Sequence, residues 1–89
     1  MESLRERFRE RAADDLAAMK AAWASGERQA LRERAHRLAG VAATFGYPRV
    51  GEAAKLLDDL LKPDGIAEET DAATQRLFDL LGRVGATPR

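Results

Sequence analysis

The chain has 89 residues, a formal net charge of zero at pH 7 and no cysteine. This length predicts one small domain, residues 1–89, with a simple core and its function on the surface. The missing cysteines exclude disulfides, zinc–thiolate sites and thiol catalysis. The balanced charge argues against nucleic acid as a partner. With no signal-peptide pattern and no apolar run near the ~20 residues that span a bilayer, we expect a cytoplasmic protein without a membrane partner.

The first predicted helix covers about residues 4–24, where apolar side chains recur at helical spacing with charges between them. Its inward stripe is Leu4, Phe8, Ala12, Leu16, Met19 and Trp23. The sequence Ala24-Ser25-Gly26 interrupts this pattern, and a second helix is predicted over about residues 27–44. Its apolar side is Leu31, Leu38, Ala42 and Phe45, with Ala35 and Val41 at the margins.

Gly46 suits the end of the second helix, and Pro48 suits the first turn of a third helix over about residues 48–61. The inward side of this third helix is Val50, Ala53, Ala54, Leu57, Leu60 and Leu61. A fourth helix is predicted over about residues 66–83, weakened at its end by glycines. Its stripe is Ile66, Thr70, Ala73, Leu77, Leu80, Leu81 and Val84. Four amphipathic helices with short loops predict an all-α fold, an antiparallel up-down-up-down four-helix bundle.

The only histidine, His36, points almost directly away from the apolar side of the second helix. Its row on that helix also carries Arg32, Gly40 and Ala43, and the two small residues leave the imidazole clear of its neighbours. A glycine inside a helix costs about 1 kcal/mol relative to alanine. Because Gly40 lies off the apolar side, access for a partner explains the presence of this glycine better than close helix packing does. An incidental surface histidine remains the alternative.

An exposed neutral imidazole has one lone-pair nitrogen and one N–H. It can attack phosphorus when an acceptor holds the N–H, and a carboxylate also stabilises the positive charge that develops on the ring. Asp58 lies beside the inward stripe of the third helix and can reach His36 if the two helices are adjacent. Four arginines and two glutamates lie between residues 25 and 46, so this segment suits an anionic partner or an ordinary mixed-charge surface.

The sequence His36-Arg37-Leu38-Ala39-Gly40, followed by Thr44-Phe45-Gly46, resembles the signature of histidine-containing phosphotransfer (Hpt) domains. The ending from Thr44 to Tyr47 is also similar to the P1 domain of the chemotaxis kinase CheA. By position, the resemblance implies that His36 is phosphorylated on Nε2 and that Asp58 accepts the hydrogen bond from Nδ1–H. The family has Glu or Gln at this second position, so the shorter Asp implies either closer helices or a bridging water.

The sequence departs from the family at Ala39, where a lysine often helps to hold the phosphoryl oxygens. The resemblance leaves Arg32, Arg37 and Lys55 as candidates to supply that positive charge. It also implies a docking face on the second and third helices around His36. We expect Gly40, Ala43 and Gly51 to keep this face flat.

The resemblance implies a phosphocarrier of a two-component phosphorelay that needs no cofactor and holds no metal. It would accept a phosphoryl group from a receiver-domain aspartyl phosphate, or from a hybrid or cognate histidine kinase, and pass it to a response regulator. The chain has no Gly-rich ATP-binding segment, so it should not phosphorylate itself. A non-phosphorylated module that docks a receiver or kinase is the first alternative, and a self-associating structural bundle is the second. We expect a monomer, since each apolar stripe is used within one bundle, and an enzyme with its own substrate is the weakest alternative.

Overall fold

The computed structural model describes residues 3–63 and 67–86, which form four helices. They are α1 (Ser3–Ala24), α2 (Arg28–Val41), α3 (Pro48–Leu60) and α4 (Ala67–Ala86). Each helix packs on the next, and α4 also packs on α1. The prediction of an all-α four-helix bundle is therefore confirmed. Among the described residues, no helix is long and apolar enough to cross a membrane.

The core lies where the four apolar stripes meet. Its fully buried large side chains include Met19, Leu31, Leu57, Leu77 and Leu81. All six inward residues predicted for α3 are buried. The partly buried side chains at the edge of the core include Leu16, Trp23, Phe45, Tyr47 and Leu80. The side chains of Leu4 and Ile66, also predicted to lie in the core, are outside the described residues.

Two glycines with positive φ follow the first two helices. Gly26 has φ 74° and Gly46 has φ 91°. After Gly26, the N–H of Glu27 donates to the carbonyl of Ala22, and after Gly46 the N–H of Tyr47 donates to that of Ala42, both at 2.9 Å. Bonds of this type satisfy the last carbonyls of a helix and require a left-handed residue. Regular α2 ends at Val41, three residues before the predicted boundary, and the chain continues through turns to Gly46.

The fourth helix continues to Ala86, three residues beyond its predicted end. Gly82 lies inside it and does not stop it. Val84 is buried against the core, and burying a valine contributes about 1.5–3 kcal/mol. That gain exceeds the propensity cost of about 1 kcal/mol for an interior glycine. Residues 87–89 lie outside the described residues.

Candidate phosphotransfer site

His36 lies in the middle of α2 and points into solvent, with its side chain 77% exposed. Its near neighbours Ala35 and Leu38 are buried, so the opposite side of the helix is fixed in the core. Gly40 and Ala43 are exposed on the histidine side of the helix. A Cβ atom built on Gly40 would meet no atom within 4 Å. The imidazole is therefore open to an approaching molecule.

The carboxylate of Asp58, on α3, holds this imidazole directly. Its Oδ2 lies 2.9 Å from Nδ1 of His36, which is a direct hydrogen-bond distance. The Asp58 side chain is only 11% exposed. An ionised carboxylate only accepts hydrogen bonds, so Nδ1 is the donor in this pair. In the neutral ring, Nε2 then carries the free lone pair and faces outward.

Arg32 holds the same carboxylate from the other side. It lies one turn before His36 on α2, and its Nε donates to Oδ1 of Asp58 at 3.1 Å. Each oxygen of Asp58 thus has its own donor from one face of α2, which fixes the plane of the carboxylate. Burial by itself raises the pKa of Asp58, but the hydrogen bonds and positive charges of His36 and Arg32 outweigh it and lower that pKa. Asp58 is therefore ionised at neutral pH.

Small residues let α3 lie close to α2, so that the short side chain of Asp58 can reach His36. Gly51, two turns before Asp58, is buried in the contact between these helices. A Cβ atom on Gly51 would lie 3.6 Å from both the carbonyl oxygen of Ala39 and the backbone nitrogen of Ala43. Gly51 was expected to help keep the docking face flat, but the residue is buried under α2 and does not form part of the exposed surface. Of the two geometries open for Asp58, the structure has the closer helices.

The predicted charged residues divide into two groups. Arg32, His36, Arg37 and Asp58 line one open cleft of about 440 Å³, together with Gln29 and Glu33. Lys55 is exposed one turn before Asp58 and does not line this cleft. The structure therefore brings two of the three candidate cations to the histidine and leaves the third outside.

Two properties of the site were not predicted from the sequence: the burial of Asp58 and its pairing with Arg32. The spacing of Arg32 and His36 carried a usable signal. Residues four apart lie on one face of a helix, so both side chains can reach the same group on a neighbouring helix. The burial of Asp58 has no comparable local signal, because it depends on how closely α2 approaches.

A family model described as Hpt domain matches residues 3–87 of the chain. The match includes all four helices and both members of the His36–Asp58 pair. No curated protein and no solved structure gives a significant match.

Proposed function

Because the chain belongs to the Hpt domain family, we propose that it is a histidine phosphotransfer protein of a two-component phosphorelay and that His36 carries the phosphoryl group. Hpt domains are phosphocarriers and not kinases, and they exchange phosphoryl groups with receiver domains and kinases. In this proposal His36 accepts the group from a receiver aspartyl phosphate or from a hybrid or cognate kinase, and passes it to a response regulator. The 2.9 Å contact between His36 Nδ1 and Asp58 Oδ2 is the observation that carries the assignment.

The transfer step uses the free lone pair on Nε2. This nitrogen attacks the phosphorus of the partner's aspartyl phosphate, and the new N–P bond forms as the bond from phosphorus to the carboxylate oxygen breaks. The electron pair of the broken bond leaves with the partner's carboxylate. The imidazole keeps its Nδ1–H and becomes positively charged, and ionised Asp58 stabilises that charge. Transfer to a response regulator reverses these events on a new carboxylate.

Arg32 and Arg37 supply the positive charge that the family lysine provides elsewhere. Both line the cleft that contains His36, and guanidinium groups bind phosphoryl oxygens through charge-assisted hydrogen bonds. Arg32 has a second role, because its Nε also holds Asp58 in place. Lys55 is a weaker candidate, since it lies outside this cleft. Gly40 and Ala43 form the flat, exposed approach to the ring.

The test is incubation of the wild-type protein and His36→Gln with phosphorylated receiver domains. Phosphohistidine is acid-labile and base-stable, so we expect such a label on the wild type and none on the variant. Circular dichroism of both proteins controls for folding. A folded wild type that takes no label from a broad panel of receivers would contradict the proposal. It would favour the non-phosphorylated docking module, for which the alanine at position 39 is the specific supporting observation.

A further inference from the structure

A second cleft lies between α1 and α2, and apart from Arg37 its lining residues have no role in the proposed transfer step. Its volume is about 370 Å³, which is within the range of roughly 300–1,000 Å³ typical of binding sites. Of the adjacent helix pairs, α1 and α2 have the least extensive contact. The cleft therefore lies where the bundle is least closely packed.

Four arginines line this cleft: Arg7 and Arg11 from α1, and Arg34 and Arg37 from α2. They are spaced four and three residues apart, so the members of each pair are neighbours on their helix, where like charges are destabilising. Asp15 pairs with Arg34 at 3.0 Å. The other three arginines have no ion-pair partner among residues 3–63 and 67–86. A chain with zero net charge thus maintains a concentrated positive charge here.

The floor of the cleft is apolar. Phe8 and Leu38 are buried beneath it, and Phe45 stacks on Phe8 with the ring centroids 5.6 Å apart. Val41 is 38% exposed, and it and Leu56 are the two exposed large hydrophobic side chains in the described part of the chain. An apolar floor with cations at its rim is complementary to an apolar side chain flanked by carboxylates.

Resting on the proposed function, we infer that the α1–α2 cleft is the part of the docking surface that selects the receiver domain. Its occupant is a segment of the receiver that carries an apolar side chain flanked by carboxylates. Arg37 lines both this cleft and the cleft of His36. The two clefts therefore adjoin at Arg37, and a receiver placed over His36 also covers the second cleft. Complementary charges at such a rim mainly govern association rate and partner choice.

The experiment compares the double variant Arg7→Glu/Arg11→Glu with the wild type. The matched control is Lys20→Glu/Arg76→Glu, which reverses two exposed cations outside the cleft. Each protein is phosphorylated by phosphoramidate, a small donor that needs no docking, and by a phosphorylated receiver at low and high salt. We expect equal labelling by phosphoramidate in all three proteins. With the receiver, kcat/KM should fall at least about tenfold in the cleft variant and lose its salt dependence, while the control stays within about twofold.

Equal receiver kcat/KM in the cleft variant and the wild type would overturn the inference. A parallel loss with phosphoramidate would also overturn it, since the arginines would then act on the histidine and not on docking. If the variant abolishes a dimer that the wild type forms and transfer is unchanged, the occupant is a second copy of this chain. A wild type that neither donor labels at His36 would overturn the proposed function itself, and this inference with it.

Discussion

Gly51 of α3 lies against Ala39 of α2, where a Cβ on the glycine would be 3.6 Å from the alanine carbonyl oxygen. Ala39 occupies the position at which the family often has lysine. Asp58, two turns after Gly51, occupies the position of a longer Glu or Gln. We interpret Gly51, Ala39 and Asp58 as features that depend on one another. The two small residues allow the helices to lie close together, and close helices allow an aspartate to reach His36 directly. In the proposed function, the positive charge then comes from arginines that line the same cleft.

The close approach of α2 to Gly51 predicts that position 51 tolerates only a very small side chain. In Gly51→Ala the new methyl group makes ordinary contacts of 3.6–3.7 Å, so the free energy of unfolding should be unchanged or higher by up to about 1 kcal/mol. Gly51→Leu should lower it by about 1–3 kcal/mol because it overfills the interface. Urea unfolding measures both effects. Equal stability of the two variants would show that α3 does not need to approach α2 this closely.

A substitution at Gly40 should change the stability of the protein and its rate of phosphoryl transfer in opposite directions. The site is open, so Gly40→Ala should raise the free energy of unfolding by about 0.5–1 kcal/mol. It should also lower the rate of transfer from a receiver, because the methyl group projects into the docking face. Gly82→Ala in α4 is the matched control, since a Cβ there also meets nothing within 4 Å. This control should gain stability with no change in transfer, and a similar transfer rate in both variants would contradict the role of Gly40.

Asp58→Asn predicts a change of imidazole tautomer. Arg32 donates to Oδ1, so an asparagine should turn its carbonyl towards Arg32 and its amide N–H towards His36. Nδ1 then becomes the acceptor, Nε2 carries the hydrogen, and transfer should fall by about 10²–10⁴. Nitrogen-15 NMR of the ring reads the tautomer directly.

The double variant Arg32→Ala/Asp58→Asn tests the cause of that loss. Without Arg32 the asparagine is free to present its carbonyl to Nδ1, so part of the lost transfer should return. A double variant that is no faster than Asp58→Asn, and that keeps the same ring tautomer as Asp58→Asn, would show that Arg32 does not orient this group.

The lowered pKa of Asp58 predicts that the difference in stability between the wild type and Asp58→Asn depends on pH. The folded pKa lies below the unfolded value of about 4, so the unfolded chain binds more protons between the two values and stability rises with pH there. The contribution is complete above the unfolded pKa and is lost as the pH falls through the folded pKa. Denaturant unfolding of the wild type and Asp58→Asn from pH 7 to pH 3 measures this. A difference that stays constant over the range would contradict the ionised, hydrogen-bonded carboxylate.

The spacing of apolar residues predicted the features that depend on a single helix. The inward side of α3 and the outward direction of His36 follow from the spacing of apolar residues along one segment. Gly51 was misplaced because its row borders the apolar stripe of α3. Whether such a row is covered depends on the residues opposite, here Ala39 and Ala43. The end of α4 was misplaced for a similar reason, since burial of Val84 outweighs the local preference of glycine.

The most direct test of the account is the site of attachment of the phosphoryl group on His36. The protein is phosphorylated by a receiver, and the modified imidazole is examined by proton–nitrogen-15 correlation NMR. We predict phosphorus on Nε2 and the hydrogen on Nδ1, because Asp58 occupies the Nδ1 side of the ring at 2.9 Å. A phosphoryl group on Nδ1, or on any residue other than His36, would contradict the account.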